Sequence, residues 1–438
     1  MVGFVIRKGK GYIIMLHNYA ADKPTVIIVD ACSTGRFFVH KFAGYNVIHV
    51  QSSPTPPVFF TSTFNPTDYA INIIYEGNVA DTWDKLLVYN PKFVIAASEM
   101  GVTLTEKLLK LAPQLPQNNL SIPDARRNKY IMANCVAKNG VSIIPQIITT
   151  SCNEAIIWAN AQQKWPVVVK DPMGSGACGF RLCQNANDVR LAFDQLYTSI
   201  NDLGVPVDKL LVQQFIDGDE YEIDTVSYQG RHYIIDAFKY TKRDLQNGRR
   251  IFLKAELQTY EEIAGRPKLI SCVYDVLDAI GIQIGAAHTE IMYTDTGPVL
   301  LESAARPVGA WLPDAMDCCV GYNQIDLTID AYTYPEKLKL LFDKPYITKC
   351  FMTGIYLRSS QSGILQRINN LDLIRSLPTY FDHKMYIKIG EPILKTVDLD
   401  TIPGFIYLVG TDRQQLLIDS NFIQELMDKE ILFKIALP

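Results

Sequence analysis

The pattern of apolar and polar positions in the N-terminal part of the chain predicts a parallel β-sheet. Residues 23–30 (KPTVIIVD) and 45–50 (YNVIHV) are apolar runs of strand length, and a short helix at 36–43 separates them. Two buried strands joined through a helix form a βαβ unit, in which the strands run parallel. The turn after the first strand contains a single glycine, Gly35, so it does not match the glycine-rich fingerprint of a dinucleotide site.

A third apolar run, 93–97 (FVIAA), predicts another buried strand, and a helix follows at 103–111. Glu99 lies in the turn between them. Ligands gather where the strands of such sheets end, so Glu99 is a candidate substrate residue. The alternative is that its carboxylate only caps the helix.

The next predicted strand ends at a lysine, and a glycine-rich stretch follows it. After a linker rich in proline and asparagine at 112–123 and an amphipathic helix predicted at 125–139, the apolar run 165–170 (WPVVVK) ends on Lys170. A lysine in this position needs a counter-charge, and a nucleotide phosphate supplies one. The stretch 171–180 (DPMGSGACGF) can offer backbone N–H groups to phosphate oxygens, although it lacks the Gly-Lys-Ser/Thr of a Walker loop.

Further along the chain, the pattern predicts three more strands and then a long helix. The strands cover 210–217, 221–228 and 231–240, and the helix covers 261–280, where Gly281 ends it.

Near the C-terminus, the sequence pattern changes to shorter predicted elements. Strand-like runs at 350–357, 385–390 and 404–410 precede a closing helix near 421–428. This alternation of short elements predicts an α+β lobe of its own.

A β-hairpin over residues 288–302 carries the strongest candidate chemistry. Residues 295–297 (DTG) form a turn between two strands, and Glu290 and Glu302 stand on opposite strands. Two carboxylates that face each other across paired strands repel unless a cation lies between them. Because Mg²⁺ takes carboxylate oxygens as ligands, the pair is a candidate metal site. The alternative is a surface hairpin with solvated charges.

An arginine follows the hairpin closely. Arg306 lies four residues after Glu302, on the loop that leaves the second strand, and offers a planar cationic fork. A metal pair beside an arginine suits phosphate chemistry. Trp311, further along the same loop, could shape an apolar substrate pocket, but packing in the core explains it equally well.

Composition limits the classes of function. The chain has 438 residues, more than one ordinary core accommodates, so several lobes are expected. A formal charge of −4 without a basic block argues against nucleic-acid binding. Nine scattered cysteines without a Cys-x-x-Cys pair favour a reducing cytoplasm, and an N-terminus too polar for a leader or a span argues against a membrane partner.

In this order, the motifs resemble the ATP-grasp superfamily and, within it, the L-amino acid ligases that join amino acids into dipeptides. The HTE of the hairpin followed by ESAAR is the most specific part of the resemblance. The segments that carry it are 98–102 (SEMGV), 125–132 (ARRNKYIM), 167–179 (VVVKDPMGSGACG), 213–242 (QQFIDGDEYEIDTVSYQGRHYIIDAFKYTK), 288–291 (HTEI), 301–311 (LESAARPVGAW) and a C-terminal region at 350–410.

The resemblance implies an α/β and α+β multidomain protein with the ATP-grasp fold. Four parts are expected: an N-terminal Rossmann-like (pre-ATP-grasp) domain at 1–122, a small lid subdomain at 123–212, an ATP-grasp core with the metal site at 213–345, and a C-terminal α+β lobe at 346–438.

The resemblance also implies roles for residues of this chain. The cofactor-binding residues that it implies are Lys129, Lys170, Gly174, Ser175, Gly176, Ala177, Gln213, Gln214, Phe215, Ile216 and Glu220. Of these, the lysines and the glycine-rich loop would hold the ATP phosphates, 213–216 the adenine, and Glu220 the ribose. Glu290 and Glu302 would bind Mg²⁺, for which Mn²⁺ could substitute. The implied catalytic residues are Arg306 and His288, and the substrate candidates are Glu99, Ser303, Gly309 and Trp311.

Two positions depart from the family pattern. Gln213 and Gln214 stand where acidic residues are common, which removes a side-chain carboxylate for the adenine amino group. Ser303 stands where the superfamily often has asparagine, which leaves a third metal ligand open.

The implied activity is ATP-dependent formation of a peptide bond between two L-amino acids through an acyl phosphate, with release of ADP and phosphate. The alternative is an ATP-grasp ligase that joins a non-amino-acid carboxylate to an amine in specialised metabolism. A nucleotide-binding module without catalysis and a scaffold protein are the rivals from other classes. Amino acids are the expected small-molecule partners, and a homodimer is the assembly that the family suggests.

Overall fold

The computed structural model describes residues 4–8, 11–15, 19–57, 62–176, 179–201, 203–245 and 249–436. The strands within these ranges are β1 (Phe4–Lys8), β2 (Gly11–Met15), β3 (Thr25–Val29), β4 (Asn46–Gln51), β5 (Ile71–Ile74), β6 (Pro91–Ala96), β7 (Gln146–Thr149), β8 (Val167–Lys170), β9 (Arg181–Cys183), β10 (Leu210–Gln214), β11 (Asp219–Tyr228), β12 (Arg231–Asp244), β13 (Arg250–Leu257), β14 (Ile284–Thr294), β15 (Gly297–Ala304), β16 (Phe351–Tyr356), β17 (Gly363–Ile368), β18 (Tyr380–Met385), β19 (Pro392–Ile393), β20 (Gly404–Gly410) and β21 (Phe433–Ala436).

The helices in the same part of the chain are α1 (Phe38–Lys41), α2 (Val79–Leu87), α3 (Gly101–Leu109), α4 (Lys129–Lys138), α5 (Cys152–Ala161), α6 (Ala186–Leu196), α7 (Tyr260–Ala264), α8 (Leu269–Ala279), α9 (Pro313–Val320), α10 (Gln324–Thr333), α11 (Pro335–Lys339), α12 (Leu371–Arg375) and α13 (Arg413–Asp428). Asparagine side chains accept N–H groups in the first turns of α2, α4, α6 and α10, which is why these helices begin there. None of the helices that the structure describes is long and apolar enough to cross a bilayer.

The N-terminal sheet has six strands in the order β1-β2-β5-β4-β3-β6. β3 pairs in parallel with β4 and β6, and β4 pairs in parallel with β5. All five residues of β3 are buried, as expected for a parallel strand covered on both faces. The predicted βαβ unit is therefore confirmed, and Glu99 follows the carboxyl end of β6.

A second, antiparallel sheet has the order β7-β10-β8-β9. Successive side chains of each strand point to opposite faces of this sheet, so one face packs in a core and the other faces a cavity. Val167, Val169 and Val212 belong to an apolar core shared with α5 and α6. Lys170 and Gln213 line a large cavity instead.

The largest sheet has eight strands in the order β15-β14-β11-β12-β13-β16-β20-β18. The predicted hairpin is confirmed as β14 and β15, which pair antiparallel with Glu290 directly opposite Glu302. The last three strands come from the region predicted as a separate lobe, and β16 joins β13 by hydrogen bonds. The remaining C-terminal strands form a small sheet, β19-β17-β21. The division of the chain at 122, 212 and 345 stays a prediction.

Two predicted helices are interrupted, so their predicted bounds are wrong. The helix expected at 125–139 begins only at Lys129, because the Asn128 side chain accepts hydrogen bonds from the N–H groups of Tyr130 and Ile131 and so acts as the cap. The helix expected at 261–280 is divided into α7 and α8, and Pro267, which has no N–H to donate, lies in the break.

The strand predicted at 385–390 is also displaced. The strand of this region is β18, which ends at Met385 opposite Gly404. Pro403 has no N–H, so it offers Tyr386 only its carbonyl oxygen, which the Tyr386 N–H reaches at 2.9 Å. The antiparallel ladder therefore stops there, and the residues after Met385 turn away from the sheet.

Candidate active site

A cavity of about 730 Å³ is lined by residues of the four- and eight-stranded sheets and by the loops that follow β3 and β6 of the N-terminal sheet. Its volume lies in the usual range for a small-molecule site. The predicted site residues on its wall are Glu99, Lys129, Lys170, Gly174, Ser175, Gly176, Gln213, Gln214, Phe215, Ile216, Glu220, His288, Glu290, Glu302, Arg306 and Gly309. Ala177 lies outside the residues that the structure describes.

Strand pairing arranges the acidic residues in two rows across the eight-stranded sheet. In one row, Glu222 on β11 faces Glu290 on β14, which in turn faces Glu302 on β15. In the next row, Asp236 on β12 faces Asp224 on β11, and Asp224 faces His288 on β14. Since residues two apart on a strand share a face, both rows point to the same side of the sheet.

The carboxylates of the hairpin are surrounded by cations. The Glu302 carboxylate lies 2.8 Å from the Lys129 ammonium, and the Glu290 carboxylate lies 3.5 Å from His288 Nε2. Burial raises the pKa of Glu290, but the hydrogen bond from His288 and the charge of Lys242 outweigh it and hold the pKa at about 2. Glu290 is therefore anionic at neutral pH. Paired carboxylate oxygens are ligands that fit Mg²⁺ or Mn²⁺.

His288 is held between two acids. Its Nδ1 lies 3.0 Å from Asp224 Oδ1, and its Nε2 approaches Glu290. Burial and the charge of Arg306 lower the pKa of His288, but the hydrogen bonds with Asp224 and Glu290 outweigh them and raise it to about 10. At neutral pH the ring is an imidazolium, which donates protons and carries positive charge but has no lone pair for a metal.

Three buried acids beside His288 were not singled out from the sequence. Burial and the charge of Asp224 raise the pKa of Glu222 to about 8, and burial followed by the charge of Asp224 raises that of Asp236 well above its ordinary value. Glu222, Asp224 and His288 offer ligand atoms within 4.8 Å of one another, but the protonated ring does not suit a second metal. The available signal was the spacing of Glu220, Glu222 and Asp224, which puts three acids on one face of a strand.

Lys170 and Lys129 also line the cavity, and Lys129 lies beside the hairpin carboxylates. Lys129 also donates a hydrogen bond to the carbonyl oxygen of Gly174 at 2.6 Å, which ties it to the glycine-rich stretch. Burial, and then repulsion by Lys129, lower the pKa of Lys170 to about 8. Among the described residues, no carboxylate lies within ion-pair distance of the Lys170 ammonium, so an anion in the cavity would stabilise its charged form.

The glycine-rich stretch is anchored by an aspartate. Asp171 accepts a hydrogen bond from the Met173 N–H at 2.8 Å and another from the Asn201 side chain at 2.7 Å. Gly174, Ser175 and Gly176 then pass along the cavity wall. This anchoring places the backbone of the stretch next to Lys170.

The residues expected around adenine form one side of the cavity. The side-chain amides of Gln213 and Gln214 donate to Gln146 and Gln162 at 2.6 and 2.8 Å, so both are held by neighbouring glutamines. Glu220, expected to hold a ribose, pairs with Lys242 at 2.5 Å. The sequence did not single out Lys242 or Arg250, which both line the cavity here.

Arg306 belongs to a buried charge network. Its Nε lies 2.8 Å from one oxygen of Glu99, and Arg127 lies 3.2 Å from the other. Burial raises the pKa of Glu99, but the charges of Arg127 and Arg306 outweigh it and hold the pKa at about 2. The N-cap residue of α3 is Met100, and no side-chain hydrogen bond caps the helix there. Glu99 therefore lies on the cavity wall, where its carboxylate orients Arg306, and it does not act as a helix cap.

Two of the four substrate candidates lie behind the wall. Ser303 is fully buried and shares a hydrogen bond of 2.9 Å with Thr289, so it faces away from the cavity. Trp311 is buried against Phe238, with ring centroids 4.6 Å apart, and donates to Glu222 at 2.5 Å. Both therefore support the site from the core. Gly309 and Glu99 reach the cavity.

We expect Lys170→Met to weaken binding of a non-hydrolysable ATP analogue at least about tenfold, the scale of one lost charge-assisted hydrogen bond. In the wild type, affinity should fall as the pH rises above about 8, because a lysine is charged only below its pKa. Lys170→Arg should remove this pH dependence. Calorimetry over a pH series measures both effects, with the exposed Lys164→Met as the control. Unchanged affinity in Lys170→Met would exclude Lys170 from the nucleotide site.

Comparison with known proteins adds family relationships to this geometry. The model of the ATP-grasp domain family matches residues 163–314. Dapdiamide A synthase of Enterobacter agglomerans is 30% identical over 72% of this chain and 75% of its own length. The L-arginine-specific L-amino acid ligase of Bacillus subtilis is 23% identical over 42% of this chain and 43% of its own. The crystal structure of the L-amino acid ligase from Bacillus licheniformis superimposes with a TM-score of 0.72 at 17% identity, covering 95% of this chain and 99% of that one.

Proposed function

This chain belongs to the ATP-grasp carboxylate–amine ligases, which form carbon–nitrogen bonds, and on that premise we propose that it joins two L-amino acids through an acyl phosphate. The observation that carries the proposal is the meeting of Glu290, Glu302, Lys170 and Arg306 on the wall of one cavity. Paired carboxylates, a half-buried lysine without a carboxylate partner among the described residues, and an arginine are the groups that phosphoryl transfer to a carboxylate requires.

The chemistry follows from the weakness of a carboxylate as an electrophile. The donor carboxylate attacks the γ-phosphorus of ATP, the bond from that phosphorus to the bridging oxygen breaks, and ADP leaves. The amine of the acceptor then attacks the carbonyl carbon of the acyl phosphate. Phosphate leaves and the nitrogen loses a proton, which gives the amide. Positioning and neutralisation of charge carry such a reaction, so no nucleophilic serine or cysteine is needed.

In this proposal, ATP lies in the cavity beside the hairpin carboxylates. Lys129 and Lys170 contact its phosphates, and the backbone of 174–176 covers them and keeps water from the acyl phosphate. Residues 213–216 border the adenine through backbone groups. ATP-grasp enzymes use a divalent metal with ATP, and Glu290 and Glu302 would hold Mg²⁺, which neutralises phosphate charge when bound.

Arg306 and His288 act on the reacting carboxyl group in this proposal. Arg306, oriented by Glu99, offers its remaining guanidinium N–H groups to the oxygen on which charge develops when the amine attacks. His288, kept protonated by Asp224, adds a second positive charge beside the metal carboxylates. A cytoplasmic location and a homodimeric assembly stay predictions.

A second candidate is a ligase for a carboxylate that is not an amino acid. The observation in its favour is that the relative at 30% identity is named for a dapdiamide and not for an L-amino acid, whereas the relative named an L-amino acid ligase is 23% identical. Both candidates share the ATP site and differ in the donor that they accept.

One assay separates these candidates. The protein is incubated with ATP and Mg²⁺, with and without pooled L-amino acids, while phosphate release is followed and products are identified by mass spectrometry. Phosphate release that depends on the pool, together with dipeptide masses, supports the proposal. Release only when other carboxylates are supplied with amines supports the second candidate. No release under any condition contradicts both.

A further inference from the structure

One cation, Lys384, lines the cavity, and a second, Arg36, lies in a turn whose residues Ser33 and Thr34 line it. Lys384, on β18, lines the cavity next to Tyr386. Arg36 is half-buried in the 3₁₀ turn that follows β3, close enough to Lys384 to act on its charge. Neither residue has a role in the ATP site described above.

Both cations lack a carboxylate partner among the described residues. Arg36 donates to the carbonyl oxygen of Ser33 at 2.8 Å and lies over the Phe37 ring. The Lys384 ammonium lies 5.0 Å from the centre of the Tyr386 ring. By contrast, Lys242 and Lys129, on the same cavity wall, each pair with a glutamate.

The region also contains two aspartates, which do not neutralise these cations. Asp400 lines the cavity, and Asp382 precedes Lys384 by two residues on the same strand. Neither forms an ion pair with Arg36 or Lys384. Burial, and then repulsion by Arg36, lower the pKa of Lys384 to about 8. The two positive charges therefore oppose each other, and an anion between them would relieve the repulsion.

Hydrogen bonds connect the two elements that carry these cations to the loop that follows Arg306. On one side, Ser33, three residues before Arg36, accepts from the Ala310 N–H at 2.9 Å. On the other side, Tyr407 donates to the Ala310 carbonyl oxygen at 2.7 Å. Tyr407 lies on β20, which pairs with the Lys384 strand. The cations thus flank a loop that begins at Arg306.

From this placement we infer that Arg36 and Lys384 bind the α-carboxylate of the acceptor amino acid, the carboxylate that is not activated. The inference rests on the proposed function, in which Arg306 and the metal carboxylates hold the donor carboxyl group. An acceptor held by its carboxylate beyond Arg306 presents its amino group toward the acyl phosphate. The enzyme then requires a free α-carboxylate on the acceptor and rejects amides and simple amines.

The test compares acceptors with and without a carboxylate. The twenty L-amino acids and their α-amides are supplied as acceptors with a saturating donor, and kcat and KM are measured for the wild type and for Lys384→Met, Arg36→Met and the double variant. For the wild type, we expect amino acids to exceed their amides at least tenfold in kcat/KM. In the double variant, KM for the amino acid should rise at least tenfold, while kcat/KM for the amide stays within about twofold.

The controls separate this role from a structural one. Lys337→Met removes an exposed lysine outside the cavity, and it should leave kcat and KM for both kinds of acceptor unchanged. Unchanged binding of an ATP analogue by the variants shows that they are folded, and Lys384→Arg should retain the preference for amino acids.

Each outcome is decisive. If the wild type makes no product from amino acids, the proposed function fails and the inference fails with it. If the wild type is active but the variants affect amino acid and amide equally, or raise KM for the donor alone, only the inference is overturned.

Discussion

Arg306→Lys is expected to lower the rate of peptide-bond formation at least about a hundredfold, roughly 3 kcal/mol of barrier, by analogy with the loss of an oxyanion-hole donor. Lysine keeps the positive charge but loses the planar fork. In the structure the fork has two fixed partners, the Glu99 carboxylate and the carbonyl oxygen of Pro307. An ammonium cannot keep both and still address a substrate oxygen in the same plane.

The nucleotide site should survive this change, because Lys129 and Lys170 do not share the hydrogen-bond partners of Arg306. Product formation and binding of an ATP analogue should therefore be measured side by side on Arg306→Lys and Arg306→Ala. Arg231→Lys alters an exposed ion pair with Asp343 and serves as the control. Dipeptide made by Arg306→Lys at the wild-type rate would reduce Arg306 to a structural charge. Loss of analogue binding along with product would assign it to the nucleotide site.

Glu302→Gln is expected to abolish ATP turnover, with a loss of at least about a thousandfold, because a bound metal contributes several kcal/mol of charge stabilisation. The amide keeps the size of the side chain but lacks the anion that pairs with Lys129 at 2.8 Å and faces Glu290 across the hairpin. The fold should remain, since the hairpin is held by its backbone ladder. Phosphate release over a Mg²⁺ series, with thermal unfolding alongside, measures both expectations.

A matched control for this variant is Glu336→Gln, which neutralises an exposed glutamate paired with Lys339. It should not change ATP turnover or its dependence on Mg²⁺. If Glu302→Gln turns over ATP at a near-normal rate when Mg²⁺ is limiting, the metal assignment is wrong and the pair serves only to position Lys129.

The sequence predicts this site best where its residues are close along the chain. Glu290 and Glu302 are brought together by one short turn, so their pairing follows from the hairpin pattern alone. The break at Asn128 is also a local signal, since asparagine is a strong helix cap. These features depend on backbone preferences that short segments express by themselves.

The sequence pattern does not predict which strands, distant along the chain, are neighbours in a sheet. His288 meets Asp224 although 64 residues separate them, because β11 and β14 are neighbours in the sheet. An alternating strand shows that Glu222 and Asp224 share a face, but the sequence does not show which strand pairs with it or what that face meets. The same holds for Arg36 and Lys384, which come together only through the folded chain.

The short ladder between β13 and β16 has a consequence for attempts to shorten the protein. Only Lys254, Ala255 and Glu256 pair, with Ile355, Gly354 and Thr353 respectively, yet this contact joins the C-terminal strands to the sheet that carries the hairpin. Removing the chain after residue 345 would leave β13 as an open edge with unsatisfied backbone N–H and C=O groups. Such an edge recruits strands from other molecules. We therefore expect a fragment that ends at residue 345 to aggregate more readily than the full chain.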